Sequence, residues 1–130
     1  MADNLNSFNV LASAARDASV NSADFTKKGG RGLLVFFDIS AISDDDTMQL
    51  TVEGKDPVGG DYYQLLQSAA FSTAGLRVYE IHPEAAAAGG GVTAVAARFV
   101  PETFRCTLTY ALVGGVQGTL TCSVTVERLP

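Results

Sequence analysis

Few side chains in this chain of 130 residues could accept a proton, attack a carbonyl or hold a metal. His82 is its one histidine and stands before Pro83. A general base there needs a nucleophile or carboxylate delivered by the fold. A surface histidine at a strand end is the simpler reading. Asp44-Asp45-Asp46 offers oxygen atoms that suit a hard cation. Calcium loops place their ligands at alternate positions around a turn glycine, and three consecutive aspartates point apart. The triplet therefore reads as a solvated turn that keeps a sheet edge wet. Gly54-Lys55-Asp56-Pro57-Val58-Gly59-Gly60 lacks the spacing of a phosphate-binding loop. Tyr62 and Tyr63 could form a platform for a sugar ring, but one ring facing the core and its neighbour facing solvent is the simpler account. No serine sits in a Gly-x-Ser-x-Gly elbow. The expectation is a protein that is not an enzyme and carries no cofactor or metal.

Cys106 and Cys122 are the remaining reactive groups. They lie in Phe104-Arg105-Cys106-Thr107-Leu108-Thr109-Tyr110 and Thr119-Leu120-Thr121-Cys122-Ser123-Val124-Thr125-Val126. Both runs alternate apolar and polar residues, as half-buried strands do. Gly114, Gly115 and Gly118 between them suggest a hairpin turn. A register that pairs Leu112 with Val116 sets Cys106 opposite Cys122. Opposed Cβ atoms lie about 4.5–5.5 Å apart, so the two form a possible cross-strand pair. In a reducing cytoplasm they read as thiols packed in the core. Two cysteines without a histidine nearby do not complete a tetrahedral metal site.

The same alternation recurs along the chain. Leu33 to Ile39 reads as a central strand, buried on both faces at its start. Met48, Leu50 and Val52 alternate with Gln49, Thr51 and Glu53. Tyr62 to Phe71 suits a helix or a strand, and its aromatic entry favours the strand. Leu76 to Ile81 and Val92 to Val100 complete the set. Glu84-Ala85-Ala86-Ala87-Ala88-Gly89-Gly90-Gly91 reads as a flexible surface loop, because four alanines do not nucleate a helix. The sum is an all-β fold: an antiparallel β-sandwich of seven to eight strands with immunoglobulin-like or jelly-roll wiring. Residues 1–30 read as an extended N-terminal arm, mobile over 1–7, and residues 31–130 as the sandwich domain. Lys27-Lys28-Gly29-Gly30-Arg31-Gly32 reads as a solvated loop.

The formal net charge of −5 argues against direct nucleic acid binding. No apolar run approaches the roughly 20 residues that span a bilayer, and the first residues do not resemble a secretory signal. The expectation is synthesis in a cytoplasm with no membrane contact. A mean hydropathy of +0.18 suggests that a partner or sister copies cover some apolar surface.

Several segments carry a family likeness. They are Leu11-Ala12-Ser13-Ala14-Ala15-Arg16-Asp17-Ala18, Gly30-Arg31-Gly32-Leu33 leading to Phe37-Asp38-Ile39-Ser40-Ala41, and Leu50-Thr51-Val52-Glu53-Gly54-Lys55-Asp56-Pro57. Tyr62-Tyr63-Gln64-Leu65-Leu66-Gln67-Ser68-Ala69-Ala70, Tyr79-Glu80-Ile81-His82-Pro83 and Val100-Pro101-Glu102-Thr103-Phe104-Arg105-Cys106-Thr107 fit the same layout. Over about residues 10–126 the chain resembles small structural proteins of tailed bacteriophages. The resemblance implies a virion structural protein, foremost a capsid decoration protein outside the assembled head. Its partners would be the major capsid protein and its own copies in a homotrimer, and its place the capsid surface after synthesis in the host bacterial cytoplasm. Phe8, Val10, Leu11 and Arg16 of the arm, with Lys27, Lys28 and Arg31, would form the capsid or protomer interface. The cysteine pair is not part of what the resemblance implies. A tail or head–tail connector component and a carbohydrate-binding β-sandwich module are the alternatives.

Overall fold

The computed structural model describes residues 7–86 and 89–130. Ten strands run in order: β1 (Ser7–Arg16), β2 (Val20–Asn21), β3 (Phe25–Thr26), β4 (Gly32–Ile42), β5 (Thr47–Lys55), β6 (Tyr62–Phe71), β7 (Gly75–Ile81), β8 (Ala94–Ala96), β9 (Thr103–Ala111) and β10 (Leu120–Leu129). No helix occurs among the described residues. One sheet has the order β1-β10-β4-β7-β8. The other has the order β2-β9-β5-β6, with β3 also paired to β9.

This order decides the wiring. β2 and β3 flank β9 on the same side, Val20 opposite Leu108 and Phe25 opposite Phe104, so they are one edge strand broken at residues 22–24. Setting aside the three-residue β8, eight strands remain. β1-β10-β4-β7 face β2/β3-β9-β5-β6, which is the jelly-roll order rather than the immunoglobulin one. The excess over seven or eight strands is the broken edge and the short β8. Pairing is antiparallel except between β7 and β8.

Alternation builds the core. Leu33, Val35, Phe37 and Ile39 of β4 point inward, and so do Met48, Leu50 and Val52 of β5. Phe104, Cys106 and Leu108 of β9 meet Leu120, Cys122, Val124 and Val126 of β10 in the same cluster. Burying each large side chain contributes about 1.5–3 kcal/mol, so this double-sided stripe holds the sheets together. The start of β4 is not buried on both faces: Leu34 and Phe36 are only half-buried, and they face outward.

Three expectations are corrected here. Residues 7–26 are not an arm outside the sandwich. β1 pairs with β10 from Ser7 opposite Glu127 to Arg16 opposite Leu120. Two irregularities, between Asn9 and Leu11 and between Leu11 and Ala14, break its alternation and let both Val10 and Leu11 turn inward. That local bulging hid the strand from a period-two reading. Residues 1–6, part of the expected mobile segment, lie outside the described residues, as do Ala87 and Ala88 of the 84–91 loop. Second, β9 and β10 do not form a hairpin. β9 pairs with β2, β3 and β5, while β10 pairs with β1 and β4. Residues 112–119 cross from one sheet to the other, so Cys106 and Cys122 are not cross-strand partners; both are buried free thiols. Alternation marks a strand without naming its neighbour. Third, the strand expected over 92–100 shrinks to β8.

Candidate interaction surfaces

The residues expected at an interface are mostly spent inside the fold. Phe8 packs edge-on against Phe104 at 5.7 Å and Phe25 at 6.0 Å, joining the two sheets. Val10 and Leu11 belong to the core. Arg16 is half-buried, and its Nη2 donates to the Ala12 carbonyl at 2.6 Å. Lys27 is 5% exposed. Its ammonium donates to the carbonyls of Gly30 at 2.8 Å and Gly29 at 3.3 Å and lies 3.6 Å from Glu102. It is the centre of its turn rather than a solvated charge. Arg31 is exposed but pairs with Glu84. Lys28 is exposed and lies in the left-handed backbone region at φ 58°.

His82 is tied into the same end. Its Nδ1 accepts from the Glu84 N–H at 3.0 Å, which leaves the proton on Nε2 to donate to the Pro130 carbonyl at 2.9 Å. Both ring nitrogens are thus spent on backbone groups. Burial pushes the Cys106 thiol up to about 12, with Glu53 adding to the effect. Cys122 is also raised by burial, against the pull of Arg16. Neither thiol is activated as a nucleophile needs to be. Among the described residues no group of three potential ligands could hold a metal.

The opposite end is organised by Asp46, which is 1% exposed although Asp45 beside it is exposed. It lies under the 112–119 crossing, which shields it from water without placing it deep in the core. Its carboxylate accepts the Tyr110 hydroxyl, the Gly118 N–H at 2.7 Å and the Val113 N–H at 3.2 Å. The Tyr110 bond and then these amides hold its carboxyl below the usual range despite burial. In turn Tyr110 is pushed up to about 12 by burial and by Asp46. The Asp44-Asp45-Asp46 run is thus not wholly a solvated turn. Nothing in its local sequence distinguishes the third aspartate; the signal is Gly118, 72 residues on, where an added Cβ would lie 2.5 Å from Asp44 Cβ.

The two outer faces differ. On the β9-β5-β6 side, Arg105 lies 3.5 Å above the Tyr62 ring and bonds Glu53 at 2.8 Å. Tyr62 donates to Asp24 at 2.6 Å, and Lys55 meets the same carboxylate at 2.8 Å. Lys55 and then Tyr62 lower the Asp24 carboxyl. With its ring covered, Tyr62 is not an open sugar platform. Tyr63 points toward the sheet interface beside Gly54 and Pro101, 45% exposed.

On the β10-β4-β7 side, register places Phe36 between Val78 and Thr125, Leu34 between Glu80 and Glu127, and Asp38 beside Leu76. Val95 extends the row beside Glu80. Leu34, Phe36, Val78 and Val95 are half-buried and Leu76 is 59% exposed. This face has an apolar centre flanked by three carboxylates, and no lysine or arginine occupies its outward positions. An outer sheet face of a self-contained sandwich would alternate with polar residues here.

Compared with known protein families, curated proteins and solved structures, the chain matches none.

Proposed function

We propose that this chain is a virion structural protein of a tailed bacteriophage, a decoration protein that binds the outside of the assembled major capsid lattice. The observation that carries a docking role is the outer face of the β10-β4-β7 sheet, apolar at Phe36, Val78 and Leu76 and acidic at its margin. Jelly-roll wiring fits the reading, being the architecture of many viral capsid domains, although wiring alone does not assign a function. The sequence resemblance supplies the phage context.

A protein that binds only the assembled lattice stabilises it by its binding free energy at every site. A homotrimer at a symmetry point adds avidity. The rigid sandwich loses little conformational entropy on docking. The contact, however, is carried by a sheet face and not by an N-terminal arm, because residues 7–26 are committed to the fold.

The test uses expanded capsids assembled from the major capsid protein of the phage that carries this gene. Co-sedimentation and a higher chaotrope or heat threshold are expected with the protein present. Phe36→Ser should remove both while leaving the fold intact. Equal capsid resistance with and without the protein, together with no co-sedimentation, would refute the role.

A further inference from the structure

We propose that the 112–119 crossing is a preformed docking knob for a protein surface that carries an apolar socket rimmed by lysine or arginine. The crossing is separate from the sheet face discussed above. Leu112, Val113 and Val116 are 52%, 46% and 65% exposed, three of the seven large apolar side chains that the described residues leave exposed. Their clustering within five residues is what sets the crossing apart from scattered surface residues.

The backbone beneath them is fixed. Asp46 takes the N–H groups of Val113 and Gly118. Ser43 bonds Thr119 in both directions, its N–H to the Thr119 carbonyl at 3.0 Å and the Thr119 N–H to its hydroxyl at 2.8 Å. Gln117 reaches the Asp17 carbonyl at 2.9 Å. A desolvated carboxylate and a buried glycine are thus used to hold apolar side chains out in water. The bonds serve the fold, but exposing three apolar side chains adds nothing to a monomer's stability, whereas a binding loop gains an ordering cost already met before contact.

Charge identifies the occupant. Asp17 and Asp45 are exposed around the knob, and Asp44 is half-buried against Gly118. The arginines of β1 and β7 are engaged within the chain: Arg16 donates to the Ala12 carbonyl, and Arg77 donates to the Thr73 carbonyl and lies over the Phe71 ring. Anionic lipid and nucleic acid are repelled by such a rim. A second copy offers few cations for the rim, since Lys27, Arg31, Lys55 and Arg105 are engaged by this chain's own carboxylates and the net charge is −5; Lys28 and Arg98 are exposed, so self-contact is an outcome that the test reads. A partner with a cationic rim satisfies both the apolar tip and its acidic collar.

The test needs no capsid, so its failure is distinct from failure of the decoration role. The probe is per-amino β-cyclodextrin, an apolar cavity with an ammonium rim, compared with carboxymethyl β-cyclodextrin. Methyl NMR should show saturable shifts at Leu112, Val113 and Val116, with at least tenfold weaker binding of the carboxylate host. The double variant Leu112→Ser/Val116→Ser should lose them at unchanged Tm, because both side chains are exposed. Equal binding of the two hosts, no saturable shift, or undiminished shifts in the variant would overturn the proposal. So would a wild-type oligomer in sedimentation that the double variant dissolves, because the knob would then be a self-contact.

Discussion

Two buried charges of opposite sign cap the two ends of this sandwich, and they work at different ranges. Lys27 gathers acceptors from its own turn, the carbonyls two and three residues on, and adds Glu102. Asp46 gathers donors 64 to 72 residues away, from the end of β9 and the crossing that follows. The first shapes a loop. The second ties the β4–β5 turn to the crossing between sheets. Loss of the local cap should therefore loosen one turn, while loss of the distant cap should release a link that joins the two layers.

Replacing Asp46 by alanine should have the largest effect. It strands two amides and a hydroxyl beneath the crossing, and such orphans are costly. A Tm drop of about 10 °C is expected for a domain of this size, with faster amide exchange at Val113 and Gly118. An unchanged Tm would show that the crossing is not held as described. Lys27→Met keeps the packed stem but removes the ammonium. A Tm drop of about 5 °C, with faster exchange confined to the 27–32 turn, is expected by the same reasoning; exchange that spreads through both sheets would erase the contrast between the ends.

Acid should sharpen it. The carboxyls of Asp46 and Glu102 are both lowered, the first chiefly by Tyr110 and the second chiefly by the Gly29 amide. A lowered carboxyl contributes stability that is present above the ordinary carboxylate range, about 4, and is lost as pH falls below it. Tm should therefore fall between pH 5 and 3, to use round values near that range. Asp46→Asn should flatten the fall more than Glu102→Gln, since Glu102 is 57% exposed and screened by solvent. Glu102→Gln at neutral pH should have the smallest effect, roughly 1 °C in Tm. A larger loss there than in Lys27→Met would mean that the salt bridge, not the ammonium–carbonyl contacts, holds the turn.

Strand positions were legible where alternation was clean. Leu33–Ile39, Met48–Val52, Leu76–Ile81 and Phe104–Tyr110 lie within observed strands, and the last run does so from Leu120 onward. β1 was legible only as extended chain, because its bulges put Val10 and Leu11 on the same side. The candidate surfaces were less visible. Leu34 and Phe36 looked like core residues of a central strand, since composition does not tell which face a second sheet will cover. Lys27 and Asp46 looked like turn charges for the same reason: hydrophilic residues between strands carry no mark of burial.

By itself the amino-acid order determined that this is an all-β protein with alternating inward stripes, because side-chain direction along an extended backbone is a local property. The tertiary structure alone decided the jelly-roll pairing, the separation of Cys106 from Cys122, and the burial of Lys27 and Asp46. Those outcomes depend on which distant segment supplies hydrogen-bond partners. That choice is made by the whole chain at once, when two sheets close over one core.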